Sequence, residues 1–139
     1  MNETGIAPRT TIKQLLRDRG ITPTQARMQI ACLLFAKSQH ISADQIYKLI
    51  NHDNNTVSQA TIYNTLGLFS QNSLLNEVVI SSGKVFYDTN LDHHHHLYYT
   101  DGGELEDIAA DQIKISGLPE LPLDTTFDGV DVIIRVRKS

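Results

Sequence analysis

Residues 58–88 read SQATIYNTLGLFSQNSLLNEVVISSGKVFYD, and the period of their apolar residues changes half-way along. In the first fourteen residues Ile62, Leu66 and Phe69 recur at i, i+4 and i+7, the stripe of a helix buried on one side. Gln59, Thr61, Tyr63 and Asn64 fall near its N-terminal half and largely outside that stripe. From Leu74 onward "LLNEVVI" and "KVFYD" look like two strands, joined by "SSG" as a hairpin with a glycine turn.

Three more helical patterns lie upstream. "TTIKQLLRDRG" puts Ile12, Leu15 and Leu16 on one face, with Gly20 placed to end the helix. "TPTQARMQIACLLFAKS" offers Thr22 as N-cap, Pro23 at the first helical position and Gln25 at capping-box spacing. Its apolar stripe is Met28, Ala31, Leu34 and Phe35. "SADQIYKLINH" has the Ser42/Gln45 capping-box pair and is expected to bury Ile46, Leu49 and Ile50. Short helices followed by a β-hairpin give the order of a winged helix-turn-helix, whose last helix before the hairpin enters the major groove. Gln and Asn pair bidentately with adenine, and apolar contacts suit the thymine methyl. Arg9, Lys13, Arg17, Arg19, Arg27 and Lys84 are candidates for phosphate contacts. The plainer alternative is a helical protein-interaction domain with a solvated polar face.

Beyond Asp88 the helical pattern fades. "HHHHLYYT" and "GELEDI" read as a strand pair around Asp101-Gly102-Gly103, "AADQIKISG" as a short helix, and "GVDVIIRVRK" as a strand alternating Val130, Val132, Ile134 and Val136. Three strands are a poor free-standing domain, so pairing with a second copy is expected. Neighbours on a strand point to opposite faces, so His94 and His96 share one side and His93 and His95 the other. Paired imidazoles with carboxylates nearby suit zinc, iron(II), manganese or cobalt. Asp88 and Asp107 are the candidate oxygen donors.

The 139 residues suit one ordinary domain or two very small ones, and 40% hydrophobic content supports a packed core. No apolar run approaches the roughly 20 residues of a membrane span. "MNETGIAPRT" lacks the profile of a signal peptide, and the lone Cys32 sits in an apolar helical run. A reducing cytoplasm is therefore the expected setting. The net charge of −4 divides unevenly: residues 1–89 hold eight Lys and Arg against six Asp and Glu, a balance of +2, and residues 90–139 hold four against ten, a balance of −6.

Together these segments resemble the ferric uptake regulator (Fur) superfamily across nearly the whole chain. The resemblance rests on "ITPTQAR", "QHISADQIYKLI", "SQATIYNTLGLF", "GKVFYD" and "HHHHLYYTDGGELEDI". It implies an α+β chain: a winged helix-turn-helix DNA-binding domain over 1–88, a hinge at 89–92, and a small α/β dimerisation and metal-sensing domain over 93–139. It also implies a homodimer on a double-stranded DNA operator, with no membrane association. The divalent metal implied is iron or manganese, with zinc possible in vitro, ligated by His40, Asp88, His94, His96 and Asp107. DNA contacts are implied for Tyr63 and Arg27, beside Gln59, Thr61, Asn64 and Lys84.

The chain departs from many relatives where they carry a Cys-x-x-Cys structural zinc site, because Tyr99 and Gly102 stand there; no such zinc is expected. The dense histidine run and short ending resemble the iron response regulator branch. That likeness implies iron sensing linked to haem, with His93 and His95 as a possible second metal or haem pair. The peroxide-regulator branch is the alternative, resembled in Asp107 and in Asn64 after Tyr63. Two other classes, a metalloenzyme and a metal- or haem-buffering protein, share the His/Asp set. The chain shows no added nucleophile or phosphate loop for the first, and sequence-selective DNA binding separates the second.

Overall fold

A computed structural model of the chain describes residues 9–54, 56–81 and 83–139. The N-terminal reading "MNETGIAPRT" therefore lies almost wholly outside the described residues, as does Ser82 of the hairpin turn. The described residues divide into two compact units, one ending at Leu91 and the other spanning Asp92–Ser139. Among them no helix is long and apolar enough to cross a membrane.

In the first unit, α1 (Arg9–Asp18) closes as expected at Gly20, whose φ of +74° places it in the left-handed region. Gly20 N–H donates to the Arg17 carbonyl and Ile21 N–H to that of Leu16, the paired bonds of a Schellman motif. Ile21 and Leu16 are both buried there. α2 (Gln25–Leu34) begins later than expected. Its N-cap is Thr24, not Thr22: the Thr24 hydroxyl accepts from Arg27 N–H at 3.2 Å, whereas the Thr22 carbonyl accepts from Thr24 N–H and from the Arg27 guanidinium. α2 also stops at Leu34 instead of Ser38, because the Gln39 side-chain amide donates to the carbonyls of Leu33 and Leu34. Replacing Thr24 with alanine is expected to cost about 1 kcal/mol of stability, the usual value of one such cap. Thermal unfolding of the variant measures it.

α3 (Ala43–Ile50) carries the complete Ser42/Gln45 capping box. It buries Ala43 and Ile46, but Leu49 is 55% exposed, a correction to the expected stripe. With eight residues the helix makes little more than two turns, and its apolar face is too narrow to include 49. α4 (Gln59–Gln71) is capped by Ser58 and fully buries Ile62, Leu66 and Phe69. The strands β2 (Asn76–Ser81) and β3 (Lys84–Asp88) form the antiparallel hairpin, with Gly83 at φ +79° in its turn. Leu74 and Leu75 belong to the core ahead of β2 and not to the strand. A two-residue β1 (His40–Ile41), unseen in the sequence, pairs with the outer side of β3, giving the order β1-β3-β2.

In the second unit, β4 (His94–Tyr99) lies between antiparallel β5 (Leu105–Ala109) and parallel β6 (Ile133–Val136). The helix expected over "AADQIKISG" is one 3-10 turn, Ala110–Gln112. It has no side-chain cap, and β-branched Ile113 and Ile115 follow it. So short a stretch does not repay helix nucleation. β6 is four residues instead of ten, and Ile134 is exposed, so the expected alternation from Val130 is only partly realised. Leu118, Leu121, Leu123 and Phe127 are exposed as well, leaving this unit a thin apolar interior of its own.

Candidate metal centre and recognition helix

On β4 the alternation of side chains places the His94 and His96 rings 4.6 Å apart. Asp107 reaches them from β5, where it is the register partner of His96. Its Oδ1 stands 3.4 Å from His94 Nε2 and 3.5 Å from His96 Nε2. His94 Nδ1 is bonded to the Asp92 carbonyl. A carbonyl only accepts, so Nδ1 carries a proton, and in the neutral form of the ring the lone pair lies on Nε2, the nitrogen that faces Asp107.

These separations test whether the residues suit a metal. A charge-assisted N–H···O bond closes to roughly 2.7–2.9 Å. Two donors held about 2.1 Å from one tetrahedral ion stand roughly 3.4 Å apart. The observed spacing, 3.4 and 3.5 Å, fits donors around a shared cation. Nitrogen and carboxylate oxygen without thiolate suit iron(II), manganese or zinc. Both imidazole side chains are nearly buried, and Asp107 is about half exposed.

The other histidines of the run are differently placed. His93 precedes β4 and is exposed, whereas His95 is buried. Their rings meet edge to face at 5.0 Å. His95 Nδ1 accepts a hydrogen bond from Val132 N–H at 3.0 Å, which puts the proton of the neutral ring on Nε2.

In the first unit His40 on β1 is the register partner of Asp88 at the end of β3, so the two stand side by side on one face of the sheet. The His40 ring also lies edge-on to Phe86. Asp88 is buried and its Oδ1 accepts from Asn90 N–H at 2.9 Å. The next pair outward is fastened three times: Thr89 N–H and the Thr89 hydroxyl both donate to the Gln39 carbonyl, and Gln39 N–H donates to the Thr89 hydroxyl. Gln39 and Thr89 thus hold the pair in line. Their polar side chains gave no sign of it, because the contact joins positions 50 residues apart.

α4 presents Gln59, Tyr63 and Asn64 to solvent, with Tyr63 57% exposed. Thr61 is half-buried and turned back: the Ser58 hydroxyl donates to its Oγ1 at 2.9 Å. Burial pushes the Tyr87 hydroxyl above its usual value, and the charges of Glu77 and Tyr63 add to the effect. Asn51 clamps the loop before α4, accepting from Thr56 and Val57 N–H and donating to the Val57 carbonyl. The Arg27 guanidinium is anchored on the Thr22 carbonyl, and Lys84 lies over the Phe86 ring. Arg19 differs from the phosphate-contact expectation. Its guanidinium donates to the carbonyls of Asn72 and Ser73, where it caps the end of α4.

Residues 18–119 match the sequence profile of the Ferric uptake regulator family. The chain belongs to that family. Family members are DNA-binding transcription regulators, and this Fur-family chain is accordingly a regulator and not an enzyme. The peroxide-responsive repressor PerR of Staphylococcus aureus strain Mu50 is 31% identical over 99 residues, which cover 71% of this chain and 67% of that protein. Among solved structures, the ferric uptake regulator of Pseudomonas aeruginosa with manganese aligns with a TM-score of 0.67 at 21% identity, over 91% of this chain and 96% of that one. The ferric uptake regulator of Francisella tularensis with iron gives 0.70 at 17% identity, over 86% and 92%. At these identities the structures speak for the fold alone: an α+β winged helix followed by a small α/β unit.

Proposed function

We propose that this Fur-family protein is a cytoplasmic, homodimeric repressor that binds operator DNA under control of one divalent metal per chain. The observation that carries the reading is the convergence of His94 Nε2, His96 Nε2 and Asp107 Oδ1, with Asp92 orienting His94. His40 and Asp88 are proposed as the ligands from the winged-helix unit. A metal held by both sets would tie the orientation of the DNA-binding unit to the metal supply. Gln59, Tyr63 and Asn64 read base edges from α4, while Arg27 and Lys84 meet phosphates. Thr61, held by Ser58, contributes through the cap more than through the groove. The exposed Leu118, Leu121, Leu123, Phe127 and Ile134 supply the apolar surface on which two copies pair.

The test is DNA selection from a randomised duplex pool by the manganese-loaded protein, followed by affinity measurement with and without chelator. Metal coupling of ordinary size changes the affinity about 5- to 150-fold. The loaded form is expected to bind more tightly by a factor in that range. Equal affinities would end the proposal.

Within this reading the protein senses peroxide, with iron as the responsive metal. The 31% identity to a peroxide-responsive repressor favours this version over the iron- and haem-linked one. Of the two histidines expected for haem, His93 and His95, the second already has its Nδ1 engaged with Val132 N–H. Peroxide treatment of the iron-loaded protein is expected to add oxygen to the peptide bearing His93–His96, and to spare it in the manganese-loaded protein. Haem that displaced the operator without any oxidation would favour the other version.

A further inference from the structure

We propose that His95 is a positioning residue that sets the register of β6 and thereby holds His96 in place. This rests on the metal reading for its consequence, but not for its structural basis. Val132 immediately precedes the β4–β6 ladder, which starts at Ile133. Its carbonyl accepts from His96 N–H at 3.0 Å, and its N–H donates to His95 Nδ1 at 3.0 Å. Both polar groups of one backbone unit are therefore fastened to consecutive residues of β4. The His95 nitrogen does what a backbone carbonyl does in a regular ladder, and regular pairing follows from Ile133, the register partner of His96.

The ring is suited to this duty. His95 is 1% exposed, so the acceptor is shielded from competing water. A parallel strand four residues long has few ladder bonds, and a slip of one residue would reverse every side chain of β6. The anchor at Val132 opposes that slip. His96 is flanked by Asp107 on β5 and Ile133 on β6, so loosening β6 releases one of the two strands that hold its backbone. Alternate histidines of the run consequently do different work: His94 and His96 face the metal, and His95 faces its own strand neighbour.

Asparagine decides the matter, since its Oδ1 occupies the place of Nδ1 and offers an acceptor without any imidazole. In the full-length protein, amide exchange at Val132 is followed by NMR, and cobalt(II) serves as the metal probe through its visible spectrum. Wild type is expected to protect Val132 and to bind one cobalt per chain. His95→Asn keeps the protection and the spectrum. His95→Leu speeds Val132 exchange about tenfold, the size of one ordinary hydrogen bond, and alters the cobalt bands. An unprotected Val132 in wild type, unchanged exchange in His95→Leu, or Asn behaving as Leu would each overturn the proposal. So would a loss of one of two bound cobalt ions in His95→Asn, which marks a ligand. If His95→Leu does not fold, His95→Asn decides alone: retained protection supports the anchor and lost protection refutes it. If wild type binds no cobalt, the metal reading fails, while Val132 exchange still tests the anchor.

Discussion

Phe69→Ala is expected to remove about 3–5 kcal/mol of stability, the usual loss for deleting a large aromatic ring from a packed core. Phe69 is fully buried near the end of α4, in the cluster that joins all four helices, and its ring faces that of Phe35 at 6.4 Å. Domains of this size hold only about 5–15 kcal/mol in total, so the change consumes a large share of it. α4 also carries Gln59, Tyr63 and Asn64, and loosening its buried side releases its exposed side. Urea unfolding should show a lower midpoint with an unchanged slope. Leu49→Ala is the companion measurement. Leu49 has the same apolar character but is 55% exposed, and its loss is expected to stay within about 0.5 kcal/mol. Similar losses from the two variants would mean that the core does not lie where the helices place it.

The features legible in the sequence are those made by neighbours along the chain. The Ser42/Gln45 box, the closing turn at Gly20 and the buried stripe of α4 each depend on residues three to seven positions apart. The period of two likewise put His94 beside His96, whose rings lie 4.6 Å apart. What escaped depends on distant partners. β1 is two residues long and forms only because β3, more than 40 residues later, offers it a free edge. Thr22 and Thr24 both flank Pro23 plausibly, and backbone geometry chose the second. Backbone carbonyls leave no mark in a sequence, so nothing announced that Asp92 would orient His94. A run of four identical residues also hides any division of labour among them, and Val132 was needed to tell His95 from its neighbours.

His96→Ala is expected to weaken manganese binding by more than about a hundredfold, because changes to outer partners of a metal site already cost roughly 10–100-fold. The substitution removes one of the two imidazoles facing Asp107 and leaves His94 with its Asp92 anchor. It should spare the sheet, since the bond from residue 96 to the Val132 carbonyl belongs to the backbone. The variant is therefore expected to elute at the same size as the parent, fail to hold manganese in a competition titration, and bind selected DNA equally with or without chelator. His93→Ala, at an exposed position ahead of β4, serves as the reference and should titrate like wild type. Two results would separate the causes of failure. A smaller particle with weakened metal binding would mean that His96 acts on assembly first, whereas an unchanged manganese isotherm would remove the site itself. Only selective loss of metal together with loss of the chelator effect ties this trio of donors to control of the DNA-binding unit.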